Sequence, residues 1–265
     1  MNQNSEHQKT VLVTGAARGI GLATAKSFLA DGWQVALLDN DTDTLAATMQ
    51  ALDNKAGHVL RLDADVSEPD QVAGAIAEVG ERFGRLDALV NNAGIAIFGP
   101  MMETSLEDWS RVMAVNLSGP FICTRAAVPL MLKNGGGSIV NITSISSLRA
   151  STLRVAYGTS KAGLAHLTQQ QAVELGGLGI RVNAVAPGPV DTAMAKKVHT
   201  PEIRADYHDA IPLNRYGLEE EIAAAIRFLC SDAASYINGQ MLSVDGGFEA
   251  TGIGLPTLRR DGKTG

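Results

Sequence analysis

The sequence predicts a doubly wound α/β fold, a parallel sheet with helices on both faces joined by right-handed crossovers. Two observations carry this expectation. Short apolar runs bounded by turn residues recur along the chain with helically spaced stretches between them, and the first run opens directly into a glycine-rich turn and a helix.

The first run, Val11-Leu12-Val13, is followed by Thr14-Gly15-Ala16-Ala17-Arg18-Gly19-Ile20-Gly21 and then by a helical pattern through Leu22, Ala25, Phe28 and Leu29. Strand, glycine turn and helix N-terminus in that order make a seat for a phosphate: a pyrophosphate approaches bare backbone at the glycines, and unpaired N–H groups face it. The glycine gaps, four then two, are longer than the usual dinucleotide fingerprint, so the match rests on context. Further strand-like runs follow at Val35 to Asp39, His58 to Leu62, Ala88 to Asn91, Ser138 to Thr143, Arg181 to Ala186 and Gln240 to Val244. Residues 187–216 interrupt the rhythm without a clear strand. They follow the carboxyl end of a strand, where ligands bind in open sheets, and are a candidate lid. Residues 249–265 form a polar, glycine-bearing tail. The whole chain, 1–265, is read as one domain with its core at 9–248.

With 45% hydrophobic residues and a formal charge of -6, the chain has enough apolar content for a core and no basic footprint for nucleic acid. The first nine residues are polar, and no stretch approaches a membrane span, so the expectation is a cytoplasmic protein without a membrane partner. Cys123 and Cys230 sit in apolar helical patterns and read as reduced core thiols; no ligand spacing for a metal occurs.

Asp39 closes the second strand about twenty residues past the glycines, where a carboxylate accepts hydrogen bonds from an adenosine ribose and repels a 2′-phosphate. That favours NAD over NADP. Arg18, inside the loop, is the contrary feature, and a turn-capping role for Asp39 fits its position as well. Tyr157 and Lys161 are four apart in a helical stretch, hence neighbours on one face. An ammonium beside a phenol favours the phenolate, which makes Tyr157 a general acid or base for an alcohol or carbonyl. A packed tyrosine with a solvated lysine fits the same spacing.

Over nearly its whole length, Lys9 to Phe248, the chain resembles the short-chain dehydrogenase/reductase family. The matching pieces are Thr14 to Gly21, Asp65-Val66, Asn91-Asn92-Ala93-Gly94, Asn116, Ser144, Tyr157-Gly158-Thr159-Ser160-Lys161 and Pro187-Gly188. The resemblance implies a Rossmann-type sheet of about seven strands, order 3-2-1-4-5-6-7. It also implies that Ser144 bonds the reacting oxygen, Tyr157 transfers its proton, Lys161 holds the nicotinamide ribose and lowers the tyrosine pKa, and Asn116 positions a water. Gly15, Arg18, Gly19, Ile20 and Gly21 with Asp39 are the cofactor's seat. By the same similarity Asp65 and Val66 meet the adenine, Asn92, Ala93 and Gly94 line the adenosine side, and Pro187, Gly188, Val190 and Thr192 fix the carboxamide. The function expected is NAD(H)-dependent interconversion of a secondary alcohol and its ketone by a homotetramer whose tail packs on a neighbouring subunit. An NADP-linked 3-oxoacyl thioester reductase is the alternative; a non-catalytic dinucleotide sensor is the alternative of another class. For the substrate end, Ile95, Ile97, Phe98, Leu148 and Met194 suggest an apolar pocket. Arg149 and Arg154 flank the approach to Tyr157, and His199, Tyr207 and His208 lie in the candidate lid.

Overall fold

The computed structural model describes residues 8–52 and 57–252. Seven parallel strands form one sheet in the order β3-β2-β1-β4-β5-β6-β7. They are β1 (Thr10–Thr14), β2 (Gln34–Asp39), β3 (Val59–Asp63), β4 (Ala88–Asn91), β5 (Gly137–Ile142), β6 (Ile180–Pro187) and β7 (Met241–Val244). Each expected run is recovered with its ends shifted by at most one residue. His58 and Thr143, just outside the assigned strands, still join the ladder: Val35 N donates to the His58 carbonyl at 2.8 Å and Thr143 N to that of Val185 at 2.8 Å.

The connecting helices are α1 (Gly19–Ala30), α2 (Thr42–Ala51), α3 (Pro69–Phe83), α4 (Leu106–Met113), α5 (Gly119–Lys133) and α6 (Val155–Gly176). After β6 come the short helices α7 (Ala193–Val198) and α8 (Pro201–Ala210), then α9 (Glu219–Cys230). Successive strand side chains point to opposite faces, so each central strand feeds two cores. On β1, Leu12 joins Leu38, Leu62, Val79, Leu89, Met131 and Ile139 on one face. Val11 and Val13 join Phe28, Leu37, Leu45, Val140, Ile222 and Ile226 on the other. Strands buried on both faces read as continuous apolar runs rather than alternating ones, which is why the sequence signals a parallel sheet. Each fully buried Leu, Val or Phe contributes roughly 1.5–3 kcal/mol.

A chain of buried amides ties the strand ends to the helices behind them. Asn91 Nδ2 donates to Asn141 Oδ1 at 2.8 Å, and Asn141 Nδ2 donates to Thr168 Oγ1 on α6 at 2.9 Å. Polar groups this deep cost several kcal/mol unless paired, so the network holds β4, β5 and α6 in one register.

One expectation is corrected. The helix from Leu106 to Lys133 runs for 28 residues and is long and apolar enough to cross a membrane by length and composition. Gly119 and Pro120 hide this run in the sequence, yet proline in the first turn leaves a helix intact, and a π-turn at Ala114–Ser118 joins the halves. Its apolar window is 44% buried within the protein, where α5 packs on α3 and α4 on α6. Cys123 and Cys230 are free and buried, as expected, and burial pushes both thiols up to about 12. Such thiols do not ionise at neutral pH.

Candidate active site

At the carboxyl end of β1 the chain turns through Gly15 (φ +64°) and Gly19 (φ +63°), both left-handed. A side chain on Gly21 would lie 2.2 Å from the Gly15 carbonyl oxygen, so α1 can start tight against the turn only with glycine there. Thr14 and Asn92 lock this turn to β4. Thr14 Oγ1 accepts from the backbone N–H groups of Asn92 and Ala93, each at 3.0 Å, while Asn92 Nδ2 donates to the carbonyls of Thr14 at 2.9 Å and Gly15 at 3.0 Å. The first turn of α1 has no acidic residue, and Arg18 at its N-cap makes no side-chain cap bond. First-turn N–H groups without a side-chain cap suit a pyrophosphate, so the cradle fits a dinucleotide.

Asp39, at the end of β2, plays the turn role. Its Oδ2 accepts from Ala17 N at 2.9 Å and its Oδ1 from Asp41 N at 3.0 Å. Each carboxylate oxygen keeps a second lone pair. Arg18 forms an ion pair with Asp41, so its charge is already partnered. Asn40 Nδ2 donates to Asp65 Oδ2 at 3.0 Å. Partial burial pushes the Asp65 carboxyl up, but hydrogen bonds from Ser67 and Asn40 and the Arg111 charge outweigh it, leaving the group below the usual carboxylate range. Val66 turns its side chain inward. Its side chain is buried against Gly119, where an added Cβ would lie 2.9 Å from Val66 Cγ2, leaving its backbone as the part to meet a ligand.

Ser144 follows β5. Its Oγ accepts from Ser146 N at 3.1 Å, capping a 3-10 turn, and the residue lines the same cleft as Tyr157, whose phenol it pulls toward ionisation. Capping fixes the position of the hydroxyl. Tyr157 lies in the first turn of α6, and Lys161 one turn on is 4% exposed. The expected lowering of the tyrosine pKa by Lys161 is not what the structure shows. Burial pushes the phenol up, opposed by Ser144 and the Arg154 charge. Lys161 Nζ instead donates to the Ile142 carbonyl at 2.7 Å and stands 5.9 Å from the Tyr157 ring centre. Its own burial lowers the ammonium to about 8. A buried carbonyl needing a donor outcompetes a neutral phenol for the ammonium.

Asn116, fully buried in the π-turn, is equally committed. Its Nδ2 donates to the Ile95 carbonyl at 2.9 Å and Ser160 Oγ at 3.0 Å, and its Oδ1 accepts from Ile95 N at 2.9 Å. The side chain thus clamps the loop after β4 to α6, with no donor left over for a water. Gly94 lies between the two groups: a Cβ there would be 3.3 Å from Asn116 Oδ1 and 3.4 Å from Lys161 Nζ.

These parts border one cleft of about 330 Å³. Of the sequence-predicted residues it brings together Arg18, Gly19, Ile20, Asn92, Gly94, Ser144, Tyr157, Lys161, Pro187, Gly188, Val190 and Thr192. Gly15, Gly21, Ala93 and Asn116 support it from behind, and Asp39 and Asp65 stand at the neighbouring strand ends. Thr192 Oγ1 accepts from Ala195 N at 3.1 Å, capping α7. Gly188 passes so close to β7's end that a Cβ would be 2.7 Å from Asp245 Cα. Of the residues expected to meet substrate, Ile95, Phe98, Arg154, His199 and Tyr207 line the cleft and Ile97 and Leu148 do not, while the Met194 side chain lies outside what the structure describes. His208 turns away to pack on Tyr216, with ring centres 5.5 Å apart.

A family model described as enoyl-(acyl carrier protein) reductase matches residues 15–249. The 2-(R)-hydroxypropyl-CoM dehydrogenase of Xanthobacter autotrophicus is 43% identical over 247 residues, 91% of this chain and 99% of that protein. The 3-oxoacyl-(acyl-carrier-protein) reductase FabG of Thermotoga maritima is 40% identical, covering 90% of this chain and 97% of its own. The chain belongs to the short-chain dehydrogenase/reductase family. A solved gluconate 5-dehydrogenase from Burkholderia cenocepacia, in complex with NADP and tartrate, superposes with a TM-score of 0.86 at 32% identity, covering 91% of this chain and 95% of that one. As a short-chain dehydrogenase/reductase the protein is an oxidoreductase acting on CH–OH donors with a nicotinamide dinucleotide.

The residues that shape this family member's cleft without carrying chemistry have no sequence signature. Thr14 is indistinct within the glycine motif, and Ile145, Pro189, Ala195 and Val198 carry no signal, because small and apolar residues look alike until the fold places them.

Proposed function

We propose that the chain interconverts a secondary alcohol and its ketone, with Tyr157 exchanging the proton on the reacting oxygen. The observation that carries this reading is the gathering of Ser144, Tyr157 and Lys161 in the cleft that also receives the N-terminus of α1. When bound, the dinucleotide supplies the hydride acceptor or donor. The Tyr157 hydroxyl, protonated at neutral pH because burial raises it, donates to a carbonyl oxygen in reduction and takes the proton back in oxidation. Ser144 Oγ holds the same oxygen as charge develops on it. Lys161, anchored on the Ile142 carbonyl, brings a buried positive charge to the side of the site and a donor for the ribose. The segment 187–216, with α7 and α8, acts as the lid. Its His199, Tyr207 and Tyr216 rings pack together and Tyr207 packs on Phe248, at centre distances of 5.3–6.0 Å, which ties the lid to the segment after β7.

We infer NAD rather than NADP. Asp39 at the end of β2 places a negative charge where the ribose is expected, while Asp41 beside it is neutralised by Arg18. Two unit charges about 5 Å apart repel by roughly 3 kcal/mol at intermediate dielectric, about a hundredfold in affinity. Wild type is therefore expected to prefer NAD by about that factor, and Asp39→Ala to shrink the preference at least tenfold in kcat/KM. A wild-type preference for NADP would overturn this reading and favour the thioester reductase alternative, whose relatives include the Thermotoga protein. A panel of secondary alcohols, polyols, hydroxysteroids and acyl thioesters, read by absorbance of reduced nicotinamide, tests the reaction itself.

The one continuous sheet supports reading the chain as a single domain. Its cellular setting is inferred to be cytoplasmic, and its assembly a homotetramer. Leu106 (84% exposed) on α4 and Val173 (82%) on α6 support assembly through these helices. A stable monomer in sedimentation would refute it. The tail's Ile253, Leu255, Pro256 and Leu258 lie outside the described residues; its first part is held by Arg149, which donates to the Glu249 and Thr251 carbonyls.

A further inference from the structure

We propose that Arg154 is a specificity-determining residue that binds an anionic group, a carboxylate or sulfonate, carried by the substrate. The proposal rests on the oxidoreductase reading above and narrows its substrate class.

The charge balance of the cleft points this way. Its lining holds three cations, Arg18, Arg154 and Lys161, and no carboxylate among the described residues, in a chain whose net charge is -6. Two of the three are committed elsewhere: Arg18 pairs with Asp41, and Lys161 donates to the Ile142 carbonyl. Arg154 forms no ion pair among the described residues. The second arginine flanking Tyr157, Arg149, is spent on the backbone of the tail. The structure therefore separates two residues that look equivalent in sequence.

Arg154 is also held in place. Its guanidinium lies 5.0 Å from the centre of the Phe98 ring, a cleft residue, and it is partly buried rather than solvated. A cation over an aromatic face is restrained there, and the Arg154 side chain makes no hydrogen bond or ion pair among the described residues, so its N–H groups can take a carboxylate or sulfonate through two parallel bonds. The backbone adds to it. Arg154 is the N-cap of α6, whose first turn has no acidic residue and no side-chain cap, so the positive end of a 22-residue helix faces the same region. Tyr157 is three positions on, hence on the same face, and the Arg154 charge is felt at both Tyr157 and His199. His199 stays neutral at pH 7, because burial, Arg154 and Arg204 all lower it, and adds no competing cation. An anion on Arg154 thus sets a substrate's orientation relative to the tyrosine.

The test uses matched ketones at pH 7: 3-oxobutanoate and 4-oxopentanoate beside their carboxamides, reduced by the full-length enzyme. Wild type is expected to favour at least one acid over its amide by at least tenfold in kcat/KM, with the difference in KM. Arg154→Gln should cut that ratio by roughly 10- to 100-fold, and Arg154→Lys should cut it less. Equal use of acid and amide by wild type overturns the proposal, and this arm needs no variant to fold. An unchanged ratio in a folded Arg154→Gln protein that still binds NADH, whatever its absolute rate, assigns the arginine a merely structural part and also overturns it. Failure of wild type to reduce any acid, amide or panel ketone with either nucleotide overturns the proposed function itself, and the anion site with it.

Discussion

Tyr157→Phe is expected to lower kcat by about 10²- to 10⁴-fold while leaving the NADH dissociation constant within about threefold. The substitution keeps the ring and its packing and removes only the hydroxyl. Ser144 still accepts from Ser146 N, so the surrounding geometry has its own support. Steady-state turnover beside nicotinamide fluorescence separates the two effects, and undiminished turnover would sink the assignment. The wild-type pH dependence follows from the same group. Burial raises the phenol above its ordinary value, with Ser144 and Arg154 only partly opposing. Alcohol oxidation, which needs the phenolate, should therefore climb as pH rises above neutrality. Ketone reduction, which needs the phenol, should stay level through neutrality and fall only in the alkaline range. Oxidation already at its plateau at pH 6 would contradict this picture.

Lys161→Met should cost turnover on a similar scale and change stability in a pH-dependent way. Lys161 is 4% exposed, and its pKa falls from 10.5 to about 8. Between those values the folded protein binds fewer protons than the unfolded chain, so wild-type stability rises with pH through that window. The depression corresponds to about 3 kcal/mol of burial cost carried in full below pH 8. Methionine escapes that cost but leaves the Ile142 carbonyl without its 2.7 Å donor, a loss of about 1–3 kcal/mol. Relative to wild type, the variant is therefore expected to be at its best near pH 7 and to lose about 3 kcal/mol of that relative stability by pH 10.5. Denaturant unfolding at the two pH values reads this directly. A difference independent of pH would show that the lysine is not buried as a cation.

The outline of the site is legible in the amino-acid sequence, because its chemistry depends on residue type at fixed local spacing. Gly15, Gly19 and Gly21 announce a tight turn, and Tyr157 and Lys161 are one helical turn apart whatever surrounds them. Spacing does not show where the ammonium goes. Lys161 reaches the Ile142 carbonyl, a partner 19 residues away in the chain. Asn116 presents the same limit: its partners Ile95 and Ser160 are 21 and 44 residues away, so its role as a clamp has no local signature. Val66 enters the expected site through the family resemblance, and that its side chain turns inward is shown only by the fold, because a valine beside an aspartate carries no mark of which face it turns to. The long helix through Gly119 and Pro120 escapes notice for a related reason, since breaker residues at a helix start stop nothing.

The layered fold, the glycine turn and the proposal of Tyr157 as proton carrier all rest on local features of the chain. Periodicity, backbone freedom at glycine and side-chain chemistry are short-range properties, so each can be read from a few neighbouring residues. Which charges are spent and which are free emerges only on folding: Arg18 on Asp41, Lys161 on a carbonyl, Arg149 on the tail, Arg154 left facing the cleft. Electrostatic pairing depends on distance through space and on burial, and both are set by strands and loops that meet only in the folded protein.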